Sequence, residues 1–397
     1  VTTKTGDQTV SLRDPYPFFA QKRRESSGVF HGTVMDYSKT PDSLVPKREY
    51  TAVSFNAVNT VYRDGRVFSS APYDNTIGLF MGPTILAMGG KKHREHRNLV
   101  SAAFRSKALA QWEPTIVRPI CNALIDEFIG TGQADLVRNF TFEFPTRVIA
   151  RLLGLPDEDL PVFRKRAVEL ISYTVNYERA FEASAALKDY FCEQIDKRRA
   201  NPTEDIIGDL VTAEIDGEKL SDEAIYSFLR LLLPAGLETT YRSSGNLLYL
   251  LLTHPDQFAA VQENAELLPQ AIEEGLRFET PLTTVQRFTT EDVELEGVTI
   301  PARSVVGVCM GSANRDERRW ERPEEFDIFR KPTPHITFAA GEHTCLGLHL
   351  ARLETRVAVG CLLDRLANVT LVTDDDPHIF GQPFRSPTGL PVTFDAK

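Results

Sequence analysis

The densest run of reactive and turn-forming residues is Phe338-Ala339-Ala340-Gly341-Glu342-His343-Thr344-Cys345-Leu346-Gly347, followed at once by a helical pattern. A cysteine that ligates a metal must be held as thiolate, and the unpaired N–H groups of a helix starting just after Cys345 supply positive potential for that. Gly341 and Gly347 let the backbone turn tightly and let a flat cofactor approach closely. Three chemistries compete. A lone cysteine is commonly buried and inert. A zinc site with His343 and His349 is chemically possible, but the spacing matches no standard finger or ribbon. The third is an axial thiolate to haem iron.

A second reactive pair, Glu238-Thr239, stands in a helical run from Ser221 to His254 that Pro234 and Gly236 interrupt. Proline removes a backbone hydrogen bond and clashes with the preceding turn, which predicts a kink or opened groove around 234–240. The plain alternative is a bent core helix whose Thr bonds back to a carbonyl; at a kink, the freed carbonyls and the hydroxyl can hold water instead. Other motifs fail. Gly89-Gly90-Lys91-Lys92 lacks the first Gly and the Ser or Thr of a phosphate loop. His93, Glu95 and His96 are not spaced as HExxH, and no GxSxG or GxGxxG occurs.

The elements that must carry these groups are mostly helices closed by Gly or Pro: 114–129, 142–153, 181–199, and the long one that Ser221 caps and that ends near His254 and Pro255. At about fifty ångströms by helical rise, this last helix would cross the whole domain. After Arg277 the pattern changes to short β segments at 285–290, 293–300 with Gly297 in the turn, and 304–310. One more helix, 348–366, precedes strands near Leu371 and at 390–394. The predicted class is mainly α with small β-sheets.

The chain has 397 residues, 42% hydrophobic and 25% charged, enough for a large core and unlike disordered, collagenous or coiled-coil chains. A net charge of −10 disfavours nucleic acid or an anionic membrane as main partner. No run of eighteen apolar residues is present, so no membrane span is predicted. The polar start, 1–11, has no signal-peptide core, which points to the cytoplasm. Cys121, Cys192, Cys309, Cys345 and Cys361 are an odd, scattered set without CxxC, against a disulfide framework.

Phe338, Gly341, Cys345 and Gly347 spell Phe-x-x-Gly-x-x-x-Cys-x-Gly, which resembles the haem-binding loop of the cytochrome P450 superfamily. Leu350-Ala351-Arg352-Leu353-Glu354 continues like that family's next helix. Glu274-Gly275-Leu276-Arg277 is similar to its Glu-x-x-Arg helix, and Asn314-Arg315-Asp316 with Phe326-Asp327-Ile328-Phe329-Arg330 to the stretch before the loop. Ala235-Gly236-Leu237-Glu238-Thr239-Thr240 resembles the oxygen-binding kink of its central helix, and His93-Arg94-Glu95-His96-Arg97 its His-x-x-x-Arg haem contact. One departure is Ala339, where many bacterial members have Gly; Ala restricts positive φ.

The resemblance implies a soluble bacterial-type haem-thiolate monooxygenase: a single catalytic domain over 1–397, with 1–50 weakly covered, and haem b between the long central helix and the Cys-loop helix. Cys345 would be the iron ligand. His93, Arg97, Arg287 and His343 would meet the haem propionates, and Phe338, Gly341 and Gly347 would shape the loop. Glu238 and Thr239 fall on the family's catalytic acid and alcohol, whereas Glu274, Arg277 and Arg330 would form a buried structural trio. Arg94 and His96 read as a solvated helix face, and His335 is left unassigned. No flavin or iron–sulfur domain is visible, so electrons are expected from a separate ferredoxin with its NAD(P)H-dependent reductase. Lys91, Lys92, Arg94 and Arg352 form a basic cluster that could steer such an acidic donor, or be ordinary surface charge. By analogy, the substrate pocket draws on Ser70 to Leu86 with Ile77, Leu79, Phe80 and Met81, on residues near Ile171 to Phe181, and on Leu231, Ala235, Leu282, Val285 and Phe384. That lining implies an apolar, small-to-medium substrate of terpenoid, steroid or aromatic type. A peroxide-using or isomerising haem-thiolate enzyme, and a non-catalytic haem sensor, share the loop and stay as rivals.

Overall fold

The computed structural model describes residues 2–5, 8–35, 45–101, 104, 106–171, 176–215 and 217–397. Residues 172–175, part of the expected pocket stretch, lie outside them. The long helix forms as its pattern predicts. The Ser221 hydroxyl accepts the Ala224 N–H at 3.2 Å, and Asp222 and Glu223 sit in the first turn, where the helix dipole favours acids. Helix Asp222–Leu232 passes into a π-helical turn, Leu233–Glu238, and resumes as Thr239–Thr253. Pro234 thus opens the ladder by widening one turn rather than by breaking the helix. Beyond it, Leu247, Leu248, Leu250 and Leu251 are buried in the main core, each contributing about 1.5–3 kcal/mol by leaving water.

Helix Tyr177–Ala200 starts four residues before the predicted Phe181, because the Asn176 side chain accepts the Arg179 N–H at 3.1 Å and caps it. The Cys-loop helix, Leu348–Arg365, and the Glu-x-x-Arg helix, Leu268–Phe278, pack beside the long helix.

Two of the predicted β segments, 285–290 and 304–310, pair with strands from the N-terminal part of the chain, while 293–300 folds back on itself as a hairpin. The main sheet has the order Val29–His31, Glu49–Ala52, Val305–Cys309, Thr284–Thr289, Phe68–Ser69. Its one parallel pair among the described residues sets Val305 beside Glu49, and the antiparallel pairing of Val305–Cys309 with Thr284–Thr289 sets Val306 beside Arg287. The first fifty residues, faint in sequence, therefore supply one of its five strands and begin a second. A second sheet joins Leu366–Leu371, Pro391–Ala396 and Gln133–Asp135. No helix among the described residues is long and apolar enough to cross a membrane.

Candidate functional site

The sequence motifs converge on one cavity of about 1590 Å³. Its wall includes His93, Arg97, Arg287, Phe338, His343, Cys345 and Gly347 on one side, and Leu231, Ala235, Glu238 and Thr239 from the long helix on another. Phe80, Val285 and Phe384 complete the expected apolar lining. Two expectations need correction. Gly341 does not line the cavity: it has φ +72°, and a Cβ there would stand 2.5 Å from the Tyr62 carbonyl, so it serves the loop's turn and close packing. Leu79 points away and is 53% exposed, because the short helix Gly78–Met81 turns Phe80 and Met81 inward instead.

The loop is fixed from behind by buried ions. Arg277 engages Glu274 through Nε and Nη2, both at 2.7 Å, and also donates to the carbonyls of Asn314, Pro323 and Glu325 at 2.9–3.0 Å. Arg330 Nε reaches Glu274 at 3.3 Å. From this block, Asn314 accepts the Ile336 N–H at 2.8 Å and donates to Thr337 at 2.8 Å, leading into the loop. The Cys345 N–H then closes on the Phe338 carbonyl at 2.9 Å. Ala339 takes φ +59°, the left-handed conformation that its methyl group disfavours.

Cys345 is shielded by the protein, and burial pushes its thiol up; the Gly347 backbone N–H, then Arg97 and Arg352, pull the other way. Arg97 Nη2 donates to the Thr344 carbonyl at 2.6 Å and Arg287 to the Gln286 carbonyl at 2.8 Å, and neither has a carboxylate partner among the described residues. The His93 and His343 rings lie 4.3 Å apart. Burial lowers both, and with Arg287, His93 and Arg97 nearby His343 falls to about 3. Both rings face the cavity and can donate to an acceptor bound there. His93 Nδ1 is buried without a partner, while His343 Nε2 meets the Ser70 hydroxyl at 3.1 Å.

These groups fit a flat, dianionic iron cofactor. Gly347 has φ −86°, with nothing within 4 Å of where a Cβ would sit, so protein packing does not require glycine there; a planar group in the cavity would. Two guanidiniums without acids suit two propionates, and one sulfur ligand suits the iron.

On the opposite wall, the Thr239 hydroxyl donates to the Ala235 carbonyl, freed by the π turn, at 2.7 Å. Burial raises Glu238 against the pull of Arg242. Arg242, one turn on, holds Glu238 Oε1 at 2.8 Å and the Ser386 hydroxyl at 2.9 Å, while Glu238 Oε2 is buried with no partner. Arg242 was missed in the sequence, although i,i+4 spacing from Glu238 was a usable signal. Glu354 was also missed: it lines the same cavity, its Oε1 is unpartnered, and burial pushes it up to about 8. A glutamate among apolar helix positions was its signal.

The basic cluster is reduced. Arg352 makes a bidentate pair with Glu273 at 2.6 and 2.7 Å, and Lys91 faces Glu95 at 3.4 Å, which leaves Lys92 and Arg94 exposed. His335 joins Glu273 at 3.3 Å.

Residues 165–388 match the family model described as cytochrome P450. The chain is 32% identical over 393 residues to the biotin biosynthesis cytochrome P450 of Bacillus subtilis, covering 97% of each chain. Among solved structures, CYP109Q5 from Chondromyces apiculatus superimposes with a TM-score of 0.87 at 34% identity, covering 97% of this chain and 96% of that one. CYP109E1 from Bacillus megaterium, in complex with testosterone, gives 0.85 at 31% identity, covering 96% and 99%. With a cavity built to take a flat iron cofactor and relatedness along almost its whole length, the chain belongs to the cytochrome P450 family and is a haem-binding monooxygenase.

Proposed function

We propose that this monooxygenase acts on an apolar organic substrate, with Cys345 as the axial iron ligand and Glu238 and Thr239 handling protons across the cavity. The observation that carries this reading is the pairing of one buried cysteine loop with an opened turn of the long helix in a single cavity wall. Bound haem supplies activation of dioxygen with two electrons, one oxygen atom entering the substrate and the other leaving as water.

The residues do the rest. Arg97 and Arg287 are the cations for the propionates, with His93 and His343 as donors, and Phe338 with Gly347 keeps the loop flat against the cofactor. The Thr239 hydroxyl spends its proton on the Ala235 carbonyl. Its lone pairs stay open to accept from a water in the cavity. Glu238 Oε2 is the atom placed to take up and release a proton, because Arg242 occupies only Oε1. Ile77, Phe80, Met81, Leu231, Val285 and Phe384 line the cavity and support an apolar ligand of terpenoid, steroid or aromatic size; the neighbour from Bacillus megaterium carries a steroid. Electrons come from a separate ferredoxin with its NAD(P)H-dependent reductase, which Lys92 and Arg94 help to steer, and the enzyme works in the cytoplasm.

The test is a reconstituted assay of product and peroxide per reduced nicotinamide. Product formation should require dioxygen and reduced ferredoxin. Thr239→Ala should keep electron consumption while product falls and hydrogen peroxide rises, and buried Thr240→Ala should stay coupled. Equal uncoupling in both variants, or none in Thr239→Ala, would contradict the proton assignment.

A further inference from the structure

The cavity wall carries more positive charge than the proposed function uses. Its described lining includes six cationic side chains, Lys47, Arg48, Arg97, Arg242, Arg287 and Arg303, against two carboxyls, Glu238 and Glu354, in a chain of net charge −10. Arg97 and Arg287 serve the cofactor, and Arg242 is tied to Glu238. Lys47, Arg48 and Arg303 remain, all solvent-exposed and without an ion pair among the described residues.

The main sheet brings these three to one place. The Val305 N–H donates to the Arg48 carbonyl at 2.9 Å. The parallel register pairs Val305 with Glu49, and Lys47, Arg48 and Arg303 lie just before these two strand starts. The Arg303 backbone is pinned by its N–H to the Thr289 carbonyl at 2.8 Å. Glu49, Glu291 and Asp292, acids in these strands and turns, do not line the cavity, and Asp292 accepts the Ala302 N–H at 2.7 Å. The same wall carries apolar Ile77, Phe80, Leu231, Leu282 and Val285, all less exposed than the three cations. A cationic mouth over an apolar interior is complementary to an amphiphile.

We infer that the substrate is an apolar body bearing a carboxylate, anchored at the cavity mouth by Lys47, Arg48 and Arg303. This rests on the monooxygenase reading and narrows its substrate class, since a neutral terpenoid or steroid would leave the three cations unused. The contacts are exposed, so each is modest, and together they are worth about tenfold in Kd at low salt and less as salt screens them.

The experiment titrates the haem-loaded enzyme with straight-chain carboxylic acids from octanoic to hexadecanoic and with their methyl esters. It is read by calorimetry and by the haem absorption shift. The acid should bind about tenfold more tightly than the ester of equal length, and molar salt should erase most of the difference. Arg48→Gln combined with Arg303→Gln should abolish the acid preference while leaving ester affinity in place. Equal affinity for acid and ester in the parent, or an undiminished preference in the double variant, would overturn the anchor. Failure of every acid and ester to bind would overturn the amphiphile class. A reduced protein lacking the thiolate signature with carbon monoxide would instead contradict the underlying haem-thiolate reading.

Discussion

Behind Cys345, the carboxylate of Glu274 is met by Arg277, Arg330 and the Asp327 N–H, and the Arg277 guanidinium spreads over three further carbonyls. Across the cavity, Glu238 is as buried as Glu274, at 6% exposure for each, yet Glu238 Oε2 and Arg242 Nε have no partner. The two glutamates share one chemistry and differ in saturation. A fully satisfied buried ion network rigidifies, whereas an unsatisfied one is a standing cost that a fold retains where something else must bind or react. The cysteine side is built to hold a ligand still, and the long helix is built to leave an acid, an alcohol and an opened turn available.

The sharpest way to break this comparison is to cut each network in turn. Arg277→Ala strips Glu274 of its bidentate partner, leaving only Arg330 and the Asp327 N–H, and strands three carbonyls, so it should destabilise the fold by about 3–5 kcal/mol in urea unfolding. A loss below about 1 kcal/mol would mean that the trio does not carry the loop. Glu238→Gln should barely move the unfolding midpoint while slowing turnover roughly ten- to a thousandfold, the span expected when a positioned proton donor is lost. If it destabilises as much as Arg277→Ala, the two sides do not differ in kind.

Smaller effects sharpen the picture within the cysteine side. Arg97→Ala should weaken haem retention by about 1.5–3 kcal/mol, the worth of a hydrogen bond to a charged group, measured by haem transfer to an acceptor protein. Exposed Arg94→Ala is the control and should retain haem normally. Ala339→Gly should stabilise by about 1 kcal/mol, because the positive φ is costly only with a Cβ. Unchanged stability would place the strain elsewhere.

Local signals made much of this legible in the sequence. The Cys loop, the Glu274–Arg277 pair and the Pro234 kink are each written within a few residues, and a helix reads from its own periodicity. Strands Val29–His31, Glu49–Ala52 and Phe68–Ser69 were not legible. They are two to four residues long; Glu49–Ala52 and Phe68–Ser69 form because Val305–Cys309 and Thr284–Thr289, over two hundred residues away, offer ladders, and Val29–His31 then pairs with Glu49–Ala52. Separation along the chain also hid the partners of known residues. Arg352 reads as a free cation until the Glu-x-x-Arg helix places Glu273 against it, and nothing near Arg242 announces Ser386. Lys47 and Arg48 could be related to a cavity only once the sheet had paired Glu49–Ala52 with Val305–Cys309.

The account depends most on Cys345 as the iron ligand. The direct measurement is the absorption spectrum of the reduced protein with carbon monoxide for five single variants, each of Cys121, Cys192, Cys309, Cys345 and Cys361 replaced by Ser. The account predicts that Cys345→Ser alone loses the thiolate signature while the other four keep it. Loss of the signature in any of those four folded variants, or its survival in Cys345→Ser, would contradict it.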